Sequence, residues 1–175
     1  SSAALAGALL LTAGTLMVDM TTFVGCRARR GGAVHVSGGS ASFSLCTFEA
    51  CSASEAQGGG ALLVEGSGDV VLAQATRLSD NHANGALESM FLSAGASLTY
   101  ELPAPLGHYI SSLGQDRLAL EAGEAYGDYP HACAAGLYGD NDVIALQEQS
   151  TALCSGLCPP GSVCGAKATV APRAC

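Results

Sequence analysis

Apolar and polar residues alternate through the first hundred positions of the chain. Leu16, Val18 and Met20 alternate with Met17 and Asp19. Ala41, Phe43 and Leu45 alternate with Ser40, Ser42 and Ser44, and Leu98, Tyr100 and Leu102 with Thr99 and Glu101. Val34 and Val36 flank His35. A period of two belongs to a β-strand with one covered face, and helical spacing does not produce it. The serine column, with Asp19 and Glu101, is predicted to face solvent, and the apolar column to stack inside.

These strands recur. Aligned on a Gly-Ala step, "AGALLL" starts at Ala6, "GGAVHV" at Gly31, "GGALLV" at Gly59 and "NGALES" at Asn84. The second positions are Gly7, Gly32, Gly60 and Gly85, at intervals of 25, 28 and 25 residues. A second apolar stretch follows in each unit ("TLMVDM", "SASFSL", "DVVLAQ", "SLTYEL"), and a third in three of them ("TTFVGC", "CTFEAC", "TRLSDN"). Repeats of this length mark a solenoid. Three strand-sized pieces per turn with glycine corners predict an all-β fold: a right-handed parallel β-helix of about four coils over residues 1–102. Successive coils then lie about 4.8 Å apart, and glycine suits a corner that is crowded or needs positive φ. The predicted interior stacks are Leu9, Val34, Leu62 and Leu87; Leu11, Val36 and Val64, ending at Ser89; and Phe23, Phe48 and Leu78. A leucine-rich repeat lacks its frame here, and a helical repeat is incompatible with the glycine content and the alternation.

The stretch "CTFEACSASEAQGGGALLV" resembles the repeat of polymorphic outer membrane proteins and pectin-lyase-like β-helices. Asn81, in "SDNHANGAL", matches that family's asparagine, and Cys26 and Cys51 replace it in the earlier coils. The resemblance covers residues 6–102 and implies a β-helix, a fold that often hosts polysaccharide lyases and hydrolases.

Composition narrows the partners. The length allows one domain, or one plus a small module. With 49% apolar residues, 5% aromatics, no Trp and 23 Gly, the interior is expected to be narrow. A net charge of −8, with only Arg27, Arg29 and Arg30 clustered, argues against nucleic acid.

Eight cysteines without paired histidines favour disulfides over zinc, and hence an extracellular or cell-surface setting within a larger secreted or membrane-anchored protein. Cys26 and Cys51 are one repeat apart. They either bridge adjacent coils, which would contribute about 3 kcal/mol, or fill their positions as two buried thiols. Cys46 is expected to be a buried free thiol or to pair elsewhere. Cys133, Cys154, Cys158, Cys164 and Cys175 form a second group. Within it "CSGLCPPGSVC" resembles the ephrin-receptor-like cysteine-rich module, with Cys158, Pro159, Gly161 and Cys164 on its Cys-Pro-x-Gly-x-x-Cys frame. The resemblance implies an irregular disulfide-rich module over residues 133–175, of a kind that follows β-helices in large algal and protist surface proteins. Five cysteines leave one over, and the spacing does not fix the pairing. A zinc site at C-x3-C-x5-C lacks a nearby histidine. Residues 103–132 read as a cap or a linker. As a cap, Leu118, Leu120 and Tyr126 would lie over the last coil, covering its open edge.

The start "SSAALAGALLLTAGTLMV" fits the repeat better than a signal peptide, so the chain is expected to be an excised piece of something longer. No uninterrupted apolar run of transmembrane length occurs.

Candidate chemistry is sparse. Asp19, Glu49, Glu65, Asp69, Asp80, Glu88 and Glu101 are scattered, with Glu88 placed in the outward column of Leu10, His35 and Leu63. A glycosidase needs two carboxylates about 5 to 9.5 Å apart, and the pattern supplies no such pair. His35 is expected in solvent and His82 in a turn. No G-x-S-x-G or H-E-x-x-H occurs. "GDND" offers Asp140 and Asp142 as calcium candidates, or is a polar turn. No catalytic residue and no cofactor are assigned. The expected function is a non-catalytic extracellular structural or adhesion segment, with surface glycans or other extracellular proteins as partners. The alternative is a carbohydrate-binding or polysaccharide-degrading β-helix. A kinase-linked receptor ectodomain follows from the cysteine-rich resemblance alone.

Overall fold

The structure is a computed structural model that describes residues 4–139 and 148–175. The alternating segments form a β-solenoid of about three turns. The first coil comprises β1 (Leu9–Leu11), β2 (Thr15–Asp19), β3 (Thr22–Val24) and β4 (Arg27–Ala28). The second comprises β5 (Val34–Ser44), β6 (Thr47–Glu49) and β7 (Ser52–Ala53). The third comprises β8 (Leu62–Ala73), β9 (Arg77–Ser79) and β10 (His82–Ala83), followed by β11 (Ala86–Leu87). The fourth unit supplies only β12 (Met90–Leu92) and β13 (Ser97–Glu101) before the chain leaves the solenoid.

Stacking is parallel and in register on three faces. The long face aligns Leu9, Val34, Leu62 and Met90, and further along Val18, Phe43, Leu72 and Tyr100. The second aligns Phe23, Phe48 and Leu78. The third, β4–β7–β10, is a short piece the sequence pattern did not single out. The interior is the thin aliphatic and aromatic column expected, and Phe23 stacks on Phe48 with ring centroids 4.7 Å apart.

The fourth unit departs from the predicted alignment. Met90, not Leu87, stacks on Leu62, and Leu92, not Ser89, stacks on Val64. Asn84 (φ 48°) and Gly85 (φ 79°) turn a hairpin in which β11 runs antiparallel to β10, leaving Leu87 55% exposed. Positive φ at both central positions is what Asn-Gly favours in a two-residue hairpin loop. The "NGAL" step is therefore a turn and not a coil entry.

The glycine column has a direct cause. A Cβ on Gly32 would sit 1.8 Å from the Gly60 carbonyl oxygen, and one on Gly7 would sit 2.0 Å from that of Gly32. Coil meets coil there through bare backbone. The other two corners are built mostly without glycine. Met20 and Leu45 adopt left-handed φ between the first and second faces, and Gly25, Ala50 and Asp80 do so between the second and third.

The far end of the solenoid is closed by strands running against the repeat. β15 (Arg117–Ala119) pairs antiparallel with β13, and β16 (Ala125–Tyr126) pairs antiparallel with β12. Leu118, Leu120 and Tyr126 pack against the core, and Tyr129 is buried against Tyr100. β14 (His108–Tyr109) pairs with β17 (His131–Ala132), and Cys133 N–H donates to the Gly107 carbonyl, so backbone bonds cross the boundary placed at residue 133. The remaining pair is β18 (Ser162–Val163) with β19 (Arg173–Ala174).

Candidate functional site

Three places gather polar side chains: the corners between coils, the outward side of the long face, and the C-terminal module.

At these two corners of the second and third coils a left-handed residue is followed by one whose side chain reaches back to the previous coil. Cys46 Sγ donates to the Val18 carbonyl at 3.6 Å, and Thr76 Oγ1 donates to the Phe43 carbonyl at 3.0 Å. Cys51 Sγ donates to the Phe23 carbonyl at 3.5 Å, and Asn81 Nδ2 donates to the Phe48 carbonyl at 3.0 Å. Val18 and Phe43 are partners in the strand register, as are Phe23 and Phe48. The four residues therefore make one interaction, repeated from coil to coil. Asn81 and Thr76 also accept the N–H groups of Cys51 and Cys46. Thr76 occupies the Cys46 column.

Cys26, Cys46 and Cys51 are free thiols. The inter-coil bridge left open for Cys26 and Cys51 is not formed, because each thiol is turned to backbone carbonyls, Cys26 to Val24 and Cys51 to Phe23 and Glu49. Burial pushes the Cys51 thiol up to about 11 and raises that of Cys46. Both are poor nucleophiles where they stand.

The outward side of the long face carries three registered columns. They run Thr15, Ser40, Asp69, Ser97; Met17, Ser42, Val71, Thr99; and Asp19, Ser44, Ala73, Glu101. A shallow cavity of about 430 Å³ is lined there by Met17, Asp19, Ser42, Ser44, Gln74 and Glu101, among others. Ser44 donates to Gln74 Oε1 at 3.0 Å, Ser97 donates to Asp69, and Arg117 lies 3.5 Å from Glu101. Asp19 and Glu101 share a column but stand three strand steps apart, about 14 Å. Asp69 lies four residues along its strand from the Glu101 column, about 13 Å. Among the described residues this face places no two carboxylates at the spacing that glycoside hydrolysis uses.

His35 differs from its expected place in solvent. It is 3% exposed, with the turn at Gly31 folded against its Cβ. Its Nε2 lies 2.8 Å from Glu65 Oε1, and Glu65 also holds Arg30 at 2.6 Å. Arg29 and Arg30 reach Glu55 as well. Arg29 and Arg30, two of the three clustered arginines, are thus consumed in ion pairs. Glu88 is not in the His35 column, where Phe91 stands instead. Its carboxylate is buried and accepts the Gly59 N–H at 2.9 Å. His82 lies on β10 rather than in a turn.

In the module Cys133 is bonded to Cys154 and Cys158 to Cys164, while Cys175 is an exposed thiol. Gln149 pairs with the backbone of Ala104 at both ends of its amide, 2.9 Å and 2.7 Å, which ties the module to the cap. Sequence spacing gave no sign of this contact. The calcium candidates Asp140 and Asp142 lie outside the described residues. Among the described residues no group of three or more His, Cys, Asp or Glu is arranged to hold a metal ion, and no helix is long and apolar enough to cross a membrane.

No family model, no curated protein and no solved structure matches the chain. What the geometry defines is a β-solenoid closed at one end by antiparallel strands and a disulfide-bonded module. Its two disulfides suit an oxidising compartment.

Proposed function

We propose that the protein is a non-catalytic structural or adhesion segment of a larger extracellular or cell-surface protein. The observation that carries this reading is the parallel inter-coil stacking on three faces, shifted only at one bulge between Val36 and Gly38, ending in a module fastened by two disulfides. Such a stack holds its ends at a fixed separation, because each coil buries its apolar side only against its neighbours. The wide separation of outward carboxylates supports a binding or spacing role over hydrolysis. The pectin-lyase-like and ephrin-receptor-like likenesses of "CTFEACSASEAQGGGALLV" and of Cys158–Cys164 favour the same setting. The test has two arms. Intact source cells are labelled with a membrane-impermeant biotin reagent, and the protein is expected in the labelled fraction. The purified protein is incubated with neutral and acidic polysaccharides, with no new reducing or unsaturated chain ends expected. Release of such ends overturns the reading.

The second reading is glycan binding along the long face, favoured by the hydroxyl, amide and carboxylate groups around the 430 Å³ cavity. A glycan array with and without calcium separates the two. Selective binding lost on Ser42→Val and Gln74→Ala replacement establishes the second.

A further inference from the structure

We infer that the open end of the first coil is an interface built to take one more β-solenoid coil of the same repeat chemistry, stacked in parallel. This goes beyond the proposed function and does not depend on it. Three observations converge on the same edge.

The first is backbone. Among the described residues β1, β2, β3 and β4 each pair with a strand on one side only, the side of the second coil. The other end of the solenoid is covered by β15 and β16.

The second is apolar surface. Met17 is 82% exposed, Met20 75% and Val24 62%, with Leu5 and Leu10 also exposed. The partners of Met17 and Val24 one coil later are Ser42 and Glu49. The inward residues Leu9, Leu11, Leu16 and Val18 are only partly buried. From Leu5 to Cys26 the sole charged residue is Asp19. A strand edge meant to stay in solvent is usually blunted by charged side chains, proline or short strands; this edge has short strands but no lysine or proline, and its charges are Asp19 and, on β4, Arg27.

The third observation selects the occupant. Cys46, Thr76, Cys51 and Asn81 each donate to a carbonyl of the preceding coil. Thr21 and Cys26 hold the same two positions on the first coil. The only backbone carbonyls they reach among the described residues are those of their own coil, Asp19 and Val24. Cys46, Cys51 and Thr76 also reach a carbonyl of their own coil, Ser44, Glu49 and Ala73, so what Thr21 and Cys26 lack is only the second, inter-coil acceptor. A parallel coil supplies carbonyls at both corners together, as Val18 and Phe23 do one step further on. A two-fold copy of this chain would run its strands antiparallel and reverse the order of the corners. A head-to-tail copy is barred because its far end is already covered.

The test duplicates Leu9–Ala33 in tandem ahead of Leu9. Leu9 and Val34 are register partners, and Ala8 stands before Leu9 as Ala33 stands before Val34, so the insertion keeps the 25-residue period. Hydrogen exchange of the original β2 and β3 amides is expected to slow on the order of tenfold or more, as for edge amides that become internal. The same insertion with Leu16→Asp and Val18→Asp in the new copy should give no slowing. As a second arm, a synthetic Leu9–Ala33 peptide added to the unmodified protein should slow the same amides. No slowing with either the duplication or the peptide overturns the inference. So does a dimeric mass for the unmodified protein with β2 already protected, which would make a second copy the occupant.

Discussion

Asn81 joins the third coil to Cys51 on the second, accepting its N–H at 2.9 Å while donating to the Phe48 carbonyl at 3.0 Å. A third bond, to Ser89 Oγ at 3.1 Å, completes the amide. One fully buried side chain therefore fastens two coils and the entry to the next strand.

Replacing Asn81 by Ala strands a buried donor and a buried acceptor. Stability is expected to fall by about 3 kcal/mol, given the cost of unsatisfied buried groups. Urea unfolding measures this as a lower midpoint at unchanged slope. A loss under about 0.5 kcal/mol, the usual range for surface changes, would show that the joint is not where the coils are held.

The register of the fourth unit can be tested by a pair of truncations. Met90→Ala should cost about 2–5 kcal/mol, as for a buried aliphatic side chain. Leu87→Ala, on the exposed hairpin, should stay within about 0.5 kcal/mol. The opposite ranking would restore the alignment in which Leu87 is the core residue.

Thiol labelling should proceed in a fixed order. At pH 8 the exposed Cys175 reacts first and Cys26 next, while Cys46 and Cys51 stay unmodified until the chain unfolds. Cys51, pushed up to about 11 by burial, holds roughly a hundredfold less thiolate at pH 8 than an ordinary cysteine. Its labelling should accelerate as pH rises towards 11. Mass spectrometry after alkylation reads this directly, and early modification of Cys51 would contradict its placement.

His108 gives the protein an acid-sensitive contribution. Burial chiefly, with Arg77 assisting, lowers its folded pKa below the usual 6.5, while its Nδ1 lies 2.9 Å from the Leu106 carbonyl oxygen. A base whose folded pKa is lowered binds its proton more readily when unfolded. Its contribution to stability is therefore intact above pH 6.5 and is lost as pH falls from there through the folded pKa. The urea midpoint of His108→Asn should change less between pH 7.5 and 5 than that of the unmodified protein. Parallel curves would remove His108 from the account.

Reduction should loosen one end only. The Cys133–Cys154 disulfide closes a separation of 21 residues, worth about 3 kcal/mol by chain entropy. With dithiothreitol the amides of Ala104 and Ile110, which bond Gln149, are expected to exchange faster, while β5 and β8 keep their protection. Global exchange of the solenoid on reduction would mean that the module supports the whole fold.

The first three coils were legible because their strands recur with little change in spacing and because the glycine column and the aliphatic columns mark the same step. The third coil repeats the 28-residue step of the second, Val34 to Leu62 and then Leu62 to Met90, whereas the Gly-Ala alignment assumed a return to 25. A two-residue Gly-Ala match outweighed the Asn-Gly hairpin signal there, which is why Leu87 was misplaced. The corners at Met20, Leu45 and Ala50 were hidden for a different reason. None of these residues favours positive φ, so the stacking imposes that conformation on them. His35 was misjudged because the turn that covers it comes from a few residues earlier, a contact that alternation does not encode. Disulfide partners in the module follow from its folded path and not from cysteine spacing.

Gly7, Gly32 and Gly60 carry a mechanical implication. Where two layers of the stack touch through naked main chain, a single methyl group acts as a wedge. Gly32→Ala would pry adjacent turns apart and tilt everything beyond the hinge, so damage at one rung would be felt along the full length of the rod.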